Sequence, residues 1–435
     1  MKTHGRNMRM LSSLTKSTYE AILIAELRPA MGCTEPIAIA YASSILAKTL
    51  GGVPTEINAH FSGNIIKNVK SVIVPATGGR HGIEAAIAAG IVSCRPDKRL
   101  EVLTVLTSED ECKIDSVLGS CKIHIDKLNT GCSFELILTG SLDDRCATVK
   151  ISGAHTNVTE VSLNGVDLTE SYMEKTIVEE SGDEPDFSLL NVMDIVEYAD
   201  EAELDTLRPY LTRQLEMNMA IAEEGLRGDW GASIGKVMLS MGNDVSRRAR
   251  AYAAAGSDAR MSGCEKPVCI ISGSGNQEIT ASVPVKIYAD EMGKSEDELL
   301  RALIVSDLIT IHQKTGIGTL SAYCGAISAG VGAGAGICYL HSGRFTEIAH
   351  TLVNSVAILS GTICDGAKPS CAAKIAMAVE AGIMGFEMWR NGSQFQGGDG
   401  IVEKGVENTI KNVGRLARDG MSDTDREIIE IMLGI

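Results

Sequence analysis

Between Ile317 and Leu340 the chain runs for 24 residues without a charged side chain, and more than half of them are Gly, Ala or Ser. The run is long enough to cross a bilayer core of roughly 30 Å. It has few of the Leu, Ile and Phe side chains that drive insertion, so it reads instead as a pair of helices buried in a protein core. The rest of the composition agrees. Aromatic residues make up only 4% of the chain, while Gly numbers 45 and Met 17, which suits closely packed helices. At 435 residues, 44% hydrophobic and 22% charged, the chain has material for two domains or one large domain with an insertion.

A formal net charge of −16, with no clustered basic surface, excludes nucleic acid as a partner and disfavours an anionic membrane. Twelve cysteines occur in a chain whose residues 1–20 contain no apolar segment of secretory length. Together these point to the cytoplasm, where cysteines are free, metal-binding or catalytic rather than disulfide-bonded. A lone cysteine is by default a small buried hydrophobe, so only grouped cysteines carry an argument.

Residues 14–30 read as a helix that breaks at Pro29-Ala30-Met31-Gly32. A second apolar helix then runs to about Leu50, with Thr34 as its N-cap and Pro36 in the first turn. Cys33 thereby sits at a helix start, whose partial positive charge lowers a thiol pKa. After Gly51-Gly52 the texture changes. Residues 55–61, 100–106, 121–125, 134–138, 147–151 and 158–163 read as strands, with helices over 82–92 and 109–118. The last four strands are expected to join as successive hairpins. The acidic, turn-rich run 179–186 leads out, and helices dominate from Ser188 onward. They are placed at 188–200, 202–226, 231–240, 243–260, 276–286, 296–312, 346–361, 370–390 and 401–415. The expected fold class is therefore α+β. A mainly helical domain of residues 1–50 and 171–435, into which helix 34–50 packs, is interrupted by a smaller α/β insertion domain over 51–170.

Three thiols stand out within this plan. Cys324 is followed forty positions on by Cys364 and seven later by Cys371, amid Gly, Ala and Ser. Thiolates are the usual ligands of iron–sulfur clusters, and three in place of four would leave one iron open as a Lewis acid. Asp365 to Ser370 forms a turn suited to wrapping an inorganic core. Zinc is the rival ion, with Cys338 or His341 brought in by the fold. Separately, Ile271-Ser272-Gly273-Ser274-Gly275-Asn276-Gln277 follows an apolar run and opens a helix, a setting for a carboxylate or phosphate. Pro75 to Gly82 has the same potential. Gly330 to Ala335 satisfies the G-x-G-x-x-A string but starts no βαβ unit, so it is taken as helix packing.

Met31-Gly32-Cys33-Thr34-Glu35-Pro36, Gly273-Ser274-Gly275-Asn276-Gln277 and Cys324/Cys364/Cys371, in this order, resemble the iron–sulfur L-cysteine desulfidases, a family also labelled serine-dehydratase-like alpha chain. The resemblance spans nearly the whole chain. It implies a [4Fe–4S] cluster on Cys324, Cys364 and Cys371, Cys33 as the base that removes the substrate α-proton, and no PLP. It further implies that Thr34, Glu35, Ser274, Gly275, Asn276 and Gln277 bind a small amino acid, most simply L-cysteine, which yields pyruvate, sulfide and ammonia. An iron–sulfur serine dehydratase and a non-enzymatic iron–sulfur sensor are the alternatives, and a homo-oligomer is compatible with each. Two departures are visible. Glu278 replaces the family's usual Gly after Gln277, placing a negative charge near the proposed carboxylate site. The chain ends in Ile435, unlike the related serine dehydratases, which end in Cys.

Overall fold

The computed structural model describes residues 11–132, 134–172, 185–318 and 321–434. The first helix, Ser13–Glu26, is capped by the Ser12 hydroxyl, which accepts from Thr15 N. It stops earlier than expected, and Arg28–Met31 forms a strand antiparallel to Pro267–Ile270, with Arg28 opposite Ile270. Pro29 accounts for the difference, since its ring and missing N–H disfavour a helix interior but are tolerated in a two-stranded ribbon. This ribbon carries the segment around Cys33 to the side of residues 271–277, more than two hundred positions away.

The next helix, Thr34–Leu50, takes Cys33 rather than Thr34 as its N-cap and ends at Gly51 in the left-handed region. Every residue in it except Lys48 and Thr49 is buried. A helix apolar on all sides needs partners all round. It finds them in the helix Gly82–Ser93 and in the inner face of the sheet, whose Ile57, Phe61, Leu136, Leu138, Val149 and Ile151 share its core. The helical body, its expected partner, has a separate core.

The sheet has six strands in the order Lys122–Leu128, Glu56–Ser62, Glu135–Leu142, Arg145–Ser152, Val158–Leu163 and Val166–Asp167. The first pair is parallel and the others antiparallel. The hairpin expected across residues 129–131 is therefore absent, because Glu56–Ser62 lies between the two strands it would have joined. Nor do residues 100–106 form a strand. Their first two residues belong to a 3-10 turn over Pro96–Glu101, and Val102 and Leu103 beyond it are both buried without pairing to a strand.

In the helical body the uncharged run forms one helix, Gly325–Leu340, rather than a pair. From Ala326 onward all of it is buried, surrounded by the helices Gly275–Glu291, Glu296–Ile317, Phe345–Leu359 and Cys371–Arg390. Gly330 lies on Ala378 and Gly334 on Gly382, so these glycines serve close backbone approach as expected. No described helix is long and apolar enough to cross a membrane. Two helices escaped the sequence reading, Gly63–Val69 and the terminal Ser422–Leu433, which pack on each other. Of the acidic run 179–186, only Pro185 and Asp186 lie within the described residues.

Candidate active site

Four helix starts meet at one cavity of about 120 Å³. Cys33, Ser274 and Cys324 are the N-caps of three helices, and Cys371 is the first residue of a fourth. Cys364 reaches the same cavity through a short backbone pairing. Its N–H donates to Ala322 O at 2.6 Å, and Cys324 N–H donates to Thr362 O at 3.0 Å. The lining thus includes Cys33, Thr34, Glu35, Ser274, Asn276, Gln277, Cys324, Cys364 and Cys371. It adds Lys67, Asn68, His155, Arg260, Lys314 and Lys374, none of them singled out from the sequence.

The Cys33 thiol donates to Glu35 Oε2 at 3.0 Å, and Asn68 Nδ2 donates to Glu35 Oε1 at 2.9 Å. Burial and the Glu35 carboxylate push the Cys33 thiol well above its ordinary value. This reverses the expectation from its place at a helix start: loss of water and a neighbouring negative charge outweigh the helix-end field. Glu35 is itself buried, yet His155 and the Cys33 and Asn68 hydrogen bonds overcome burial and hold it below the usual carboxylate range. The resting pair is a protonated thiol on an ionised carboxylate. Thr34 donates from Oγ1 to Gly273 O at 2.9 Å, so its hydroxyl ties the two loops together rather than facing a ligand freely.

Among the three clustered thiols, a hydrogen bond from Cys324 together with Lys67 and Lys374 brings Cys364 down to about 5 against burial. Cys324 is raised as the donor in that bond, and burial raises Cys371. Lys314 lies near Cys324 and Cys364, and burial lowers it to about 8. A thiolate-ready donor beside two further thiols, with ammonium groups to offset the charge, fits an iron–sulfur cluster. The zinc alternative fits poorly. Cys338 lies fourteen residues along the helix from Cys324, about 21 Å at 1.5 Å per residue. His341 packs against Phe386 instead.

The loop 272–277 supplies open polar atoms. Asn276 Oδ1 and Gln277 Oε1 are buried without a hydrogen-bond partner, as are Asn68 Oδ1, His155 Nε2 and Arg260 Nε around the same cavity. Such groups signal a polar ligand, since a buried polar atom left unpaired is costly. Gly275 itself does not line the cavity, although its neighbours Ser274 and Asn276 do. Glu278 turns away as well. Fully buried, it shares the Gln214 amide with Asp307 beneath the loop, so its charge does not face the site. Pro75 to Gly82 is a surface turn in which Arg80 pairs with Asp115, 2.6 Å apart.

A mainly helical α+β chain that gathers four thiols, a carboxylate and unpaired polar atoms on one cavity has the make-up of an active site. The sequence matches the serine dehydratase alpha chain family over residues 97–430. A UPF0597 protein of Desulfitobacterium hafniense is 51% identical over 423 residues, covering 96% of each chain. UPF0597 proteins of Lachnoclostridium phytofermentans and Treponema denticola are 45% and 44% identical, covering 95% and 97% of this chain and 98% and 99% of their own. The chain belongs to the serine dehydratase alpha chain family, and this membership supports a lyase of the serine dehydratase type. Cys33 and Glu35 precede the span matched by the family.

Proposed function

We propose that the protein is a cytoplasmic, PLP-independent [4Fe–4S] lyase that carries out β-elimination on a small amino acid, L-cysteine foremost. The single observation behind this reading is the convergence of Cys324, Cys364 and Cys371 with Cys33 on one cavity. Cys324, Cys364 and Cys371 would hold the cluster, which would supply Lewis acidity at the site. The chain's own groups carry the proton. Cys33 passes its proton to Glu35 across their 3.0 Å hydrogen bond and then takes the α-proton as general base. The electron pair left at Cα forms the Cα–Cβ double bond as the Cβ–S bond breaks, and the departing hydrosulfide takes the proton held on Glu35 and leaves as hydrogen sulfide, restoring the Cys33 thiol and the Glu35 carboxylate. The aminoacrylate so formed tautomerises to an imine, and water hydrolyses this to pyruvate and ammonia. Asn276, Gln277 and Asn68 face the substrate with unpaired acceptors suited to its ammonium group. That all twelve cysteines are free accords with a reducing compartment.

Anaerobic reconstitution followed by iron and sulfide analysis tests the cofactor, and release of sulfide from L-cysteine tests the reaction. Cys33→Ala is expected to abolish release while leaving the iron content unchanged. Glu35→Gln should lower the rate about 10²–10⁴-fold, the range for loss of a positioned proton acceptor. Both activities should resist hydroxylamine. Faster release of ammonia from L-serine than of sulfide from L-cysteine would assign the dehydratase reaction instead. Loss of iron in Cys33→Ala would make Cys33 a ligand and overturn its role as base.

A further inference from the structure

The cavity wall holds four cationic side chains, and three of them are engaged. Lys67 pairs with Asp425 at 2.5 Å, Lys374 pairs with Asp365 at 2.5 Å, and Lys314 donates to Gly318 O at 2.7 Å. The fourth, Arg260, is 2% exposed, and its Nε has no hydrogen-bond partner. Among the described residues no carboxylate forms an ion pair with it and no carbonyl accepts from it. The Glu35 carboxylate lies near enough to act on it electrostatically, as do Cys33 and Cys371, all on the cavity, but none is hydrogen-bonded to it. A buried guanidinium with no hydrogen-bonded partner is disfavoured, and its planar fork matches a carboxylate in two parallel hydrogen bonds.

The backbone makes room for this side chain. Arg260 ends the helix Val245–Met261, on a stretch buried continuously from Ala253. It passes the bare Cα of Gly275, where an added Cβ would stand 2.7 Å from Arg260 Nε and 2.5 Å from Val268 Cγ2. Gly275 thus serves the site by letting the arginine through. On the same cavity, the unpaired Asn276 Oδ1, Gln277 Oε1 and Asn68 Oδ1 can accept from an ammonium. An unpartnered cation and unpartnered acceptors on one cavity suit the two charged groups of a zwitterion.

We infer that Arg260 is the carboxylate anchor of the site, selecting α-amino acids with a free carboxylate and holding them with Cα toward Cys33. The inference deepens the lyase reading and rests on it for the amino-acid class. It predicts rejection of amino alcohols, amino-acid amides and peptides joined through the carboxyl group.

The test is binding, measured by anaerobic calorimetry on cluster-reconstituted protein. L-alanine keeps the carboxylate and has no leaving group, and L-alaninol lacks the carboxylate. Wild-type protein should bind L-alanine about 10–100-fold more tightly than L-alaninol, the span of a charge-assisted bidentate contact. In Arg260→Lys and Arg260→Gln that preference should collapse to within about threefold, with L-alaninol affinity unchanged. Gly275→Ala, which obstructs the guanidinium, should act in the same direction. Because the unliganded guanidinium has no partner, Arg260→Met should leave the melting temperature of the free protein unchanged or raised, whereas a structural role would lower it. Equal weakening of both ligands in the arginine variants would make Arg260 a general counter-charge and overturn the assignment. So would wild-type protein that releases sulfide yet shows no preference for L-alanine. Wild-type protein that neither binds L-alanine nor releases sulfide would remove the lyase reading and this inference together.

Discussion

Gly334→Ala tests whether the small-residue helix crossing sets the thiol geometry. Gly334 lies where the helix Gly325–Leu340 crosses Cys371–Arg390. A Cβ built there would stand 2.5 Å from Gly382 O and 2.7 Å from Gly382 C and Cα. Carbon atoms sit comfortably at about 3.5 Å, so the two helices would have to part by about 0.8 Å. Overpacking of this kind costs about 1–3 kcal/mol, and the better helix propensity of Ala returns about 1 kcal/mol, leaving a net loss of up to about 2 kcal/mol. The shift does not stay in the core, because these helices begin at Cys324 and Cys371. The urea midpoint should fall, and iron retained per chain after reconstitution should fall with it. Gly119→Ala is the control. It lies in the helix Glu111–Ser120, where an added Cβ meets nothing within 4 Å, and should be neutral or stabilising by up to about 1 kcal/mol. A Gly334→Ala protein as stable as wild type, with full iron, would refute the reasoning.

Two further perturbations probe buried charge. Burial holds Asp307 at about 7, and burial together with Asp307 raises Glu278 further. The folded state therefore keeps protons that the unfolded chain releases, so stability should decline as pH rises from about 4 to about 7, Asp307 alone contributing up to about 4 kcal/mol at about 1.4 kcal/mol per pH unit. Asp307→Asn can still accept from Gln214 and should flatten that decline, gaining on wild type in urea midpoint between about pH 5 and about pH 8; parallel profiles would refute it. Asp425→Ala leaves the buried Lys67 ammonium, its side chain 1% exposed, without a partner. That change should cost about 3 kcal/mol, and Lys67→Met combined with Asp425→Ala should recover most of the loss. A double variant no more stable than Asp425→Ala would argue against the pair.

Patterns confined to one element were readable from the sequence. The strand Val158–Leu163 and the helix Cys371–Arg390 fall within a residue of their expected limits, because alternation and helical spacing are local. The pairing of Glu56–Ser62 between Lys122–Leu128 and Glu135–Leu142 is a long-range choice that the turn at 129–131 does not encode. The same division runs through the site. The thiols were legible because three cysteines recur in one small-residue setting. Lys67 and Asn68 come from the helix Gly63–Val69, and His155, Arg260 and Lys314 each from a different segment. Their one signal was a polar residue on a face that is otherwise apolar, most visible in Arg260 at the end of an Ala-rich helix. Cys33 was found, but its protonation was misread, because helix-end position is a sequence property whereas burial and the approach of Glu35 are products of folding.

The site inverts the sign of the molecule around it. A chain of net charge −16 lines this cavity with Lys67, Arg260, Lys314 and Lys374 and with four helix starts, against Glu35 as the one carboxylate among the described lining residues. Removal of an α-proton builds negative charge at Cα, and fixed positive charge already in place stabilises that charge without reorganising when it appears. The same field needs one outlet for the proton, and Glu35 is the ionised acceptor within reach of Cys33. On the proposed mechanism this explains why a thiol held far above its ordinary value suits the task. A thiolate formed where it is disfavoured is a stronger base, and the carboxylate beside it creates that thiolate only as the proton is handed on. Raising the basicity of Cys33 and supplying Glu35 as its acceptor are then one device, so the Cys33→Ala and Glu35→Gln losses should combine to far less than their product.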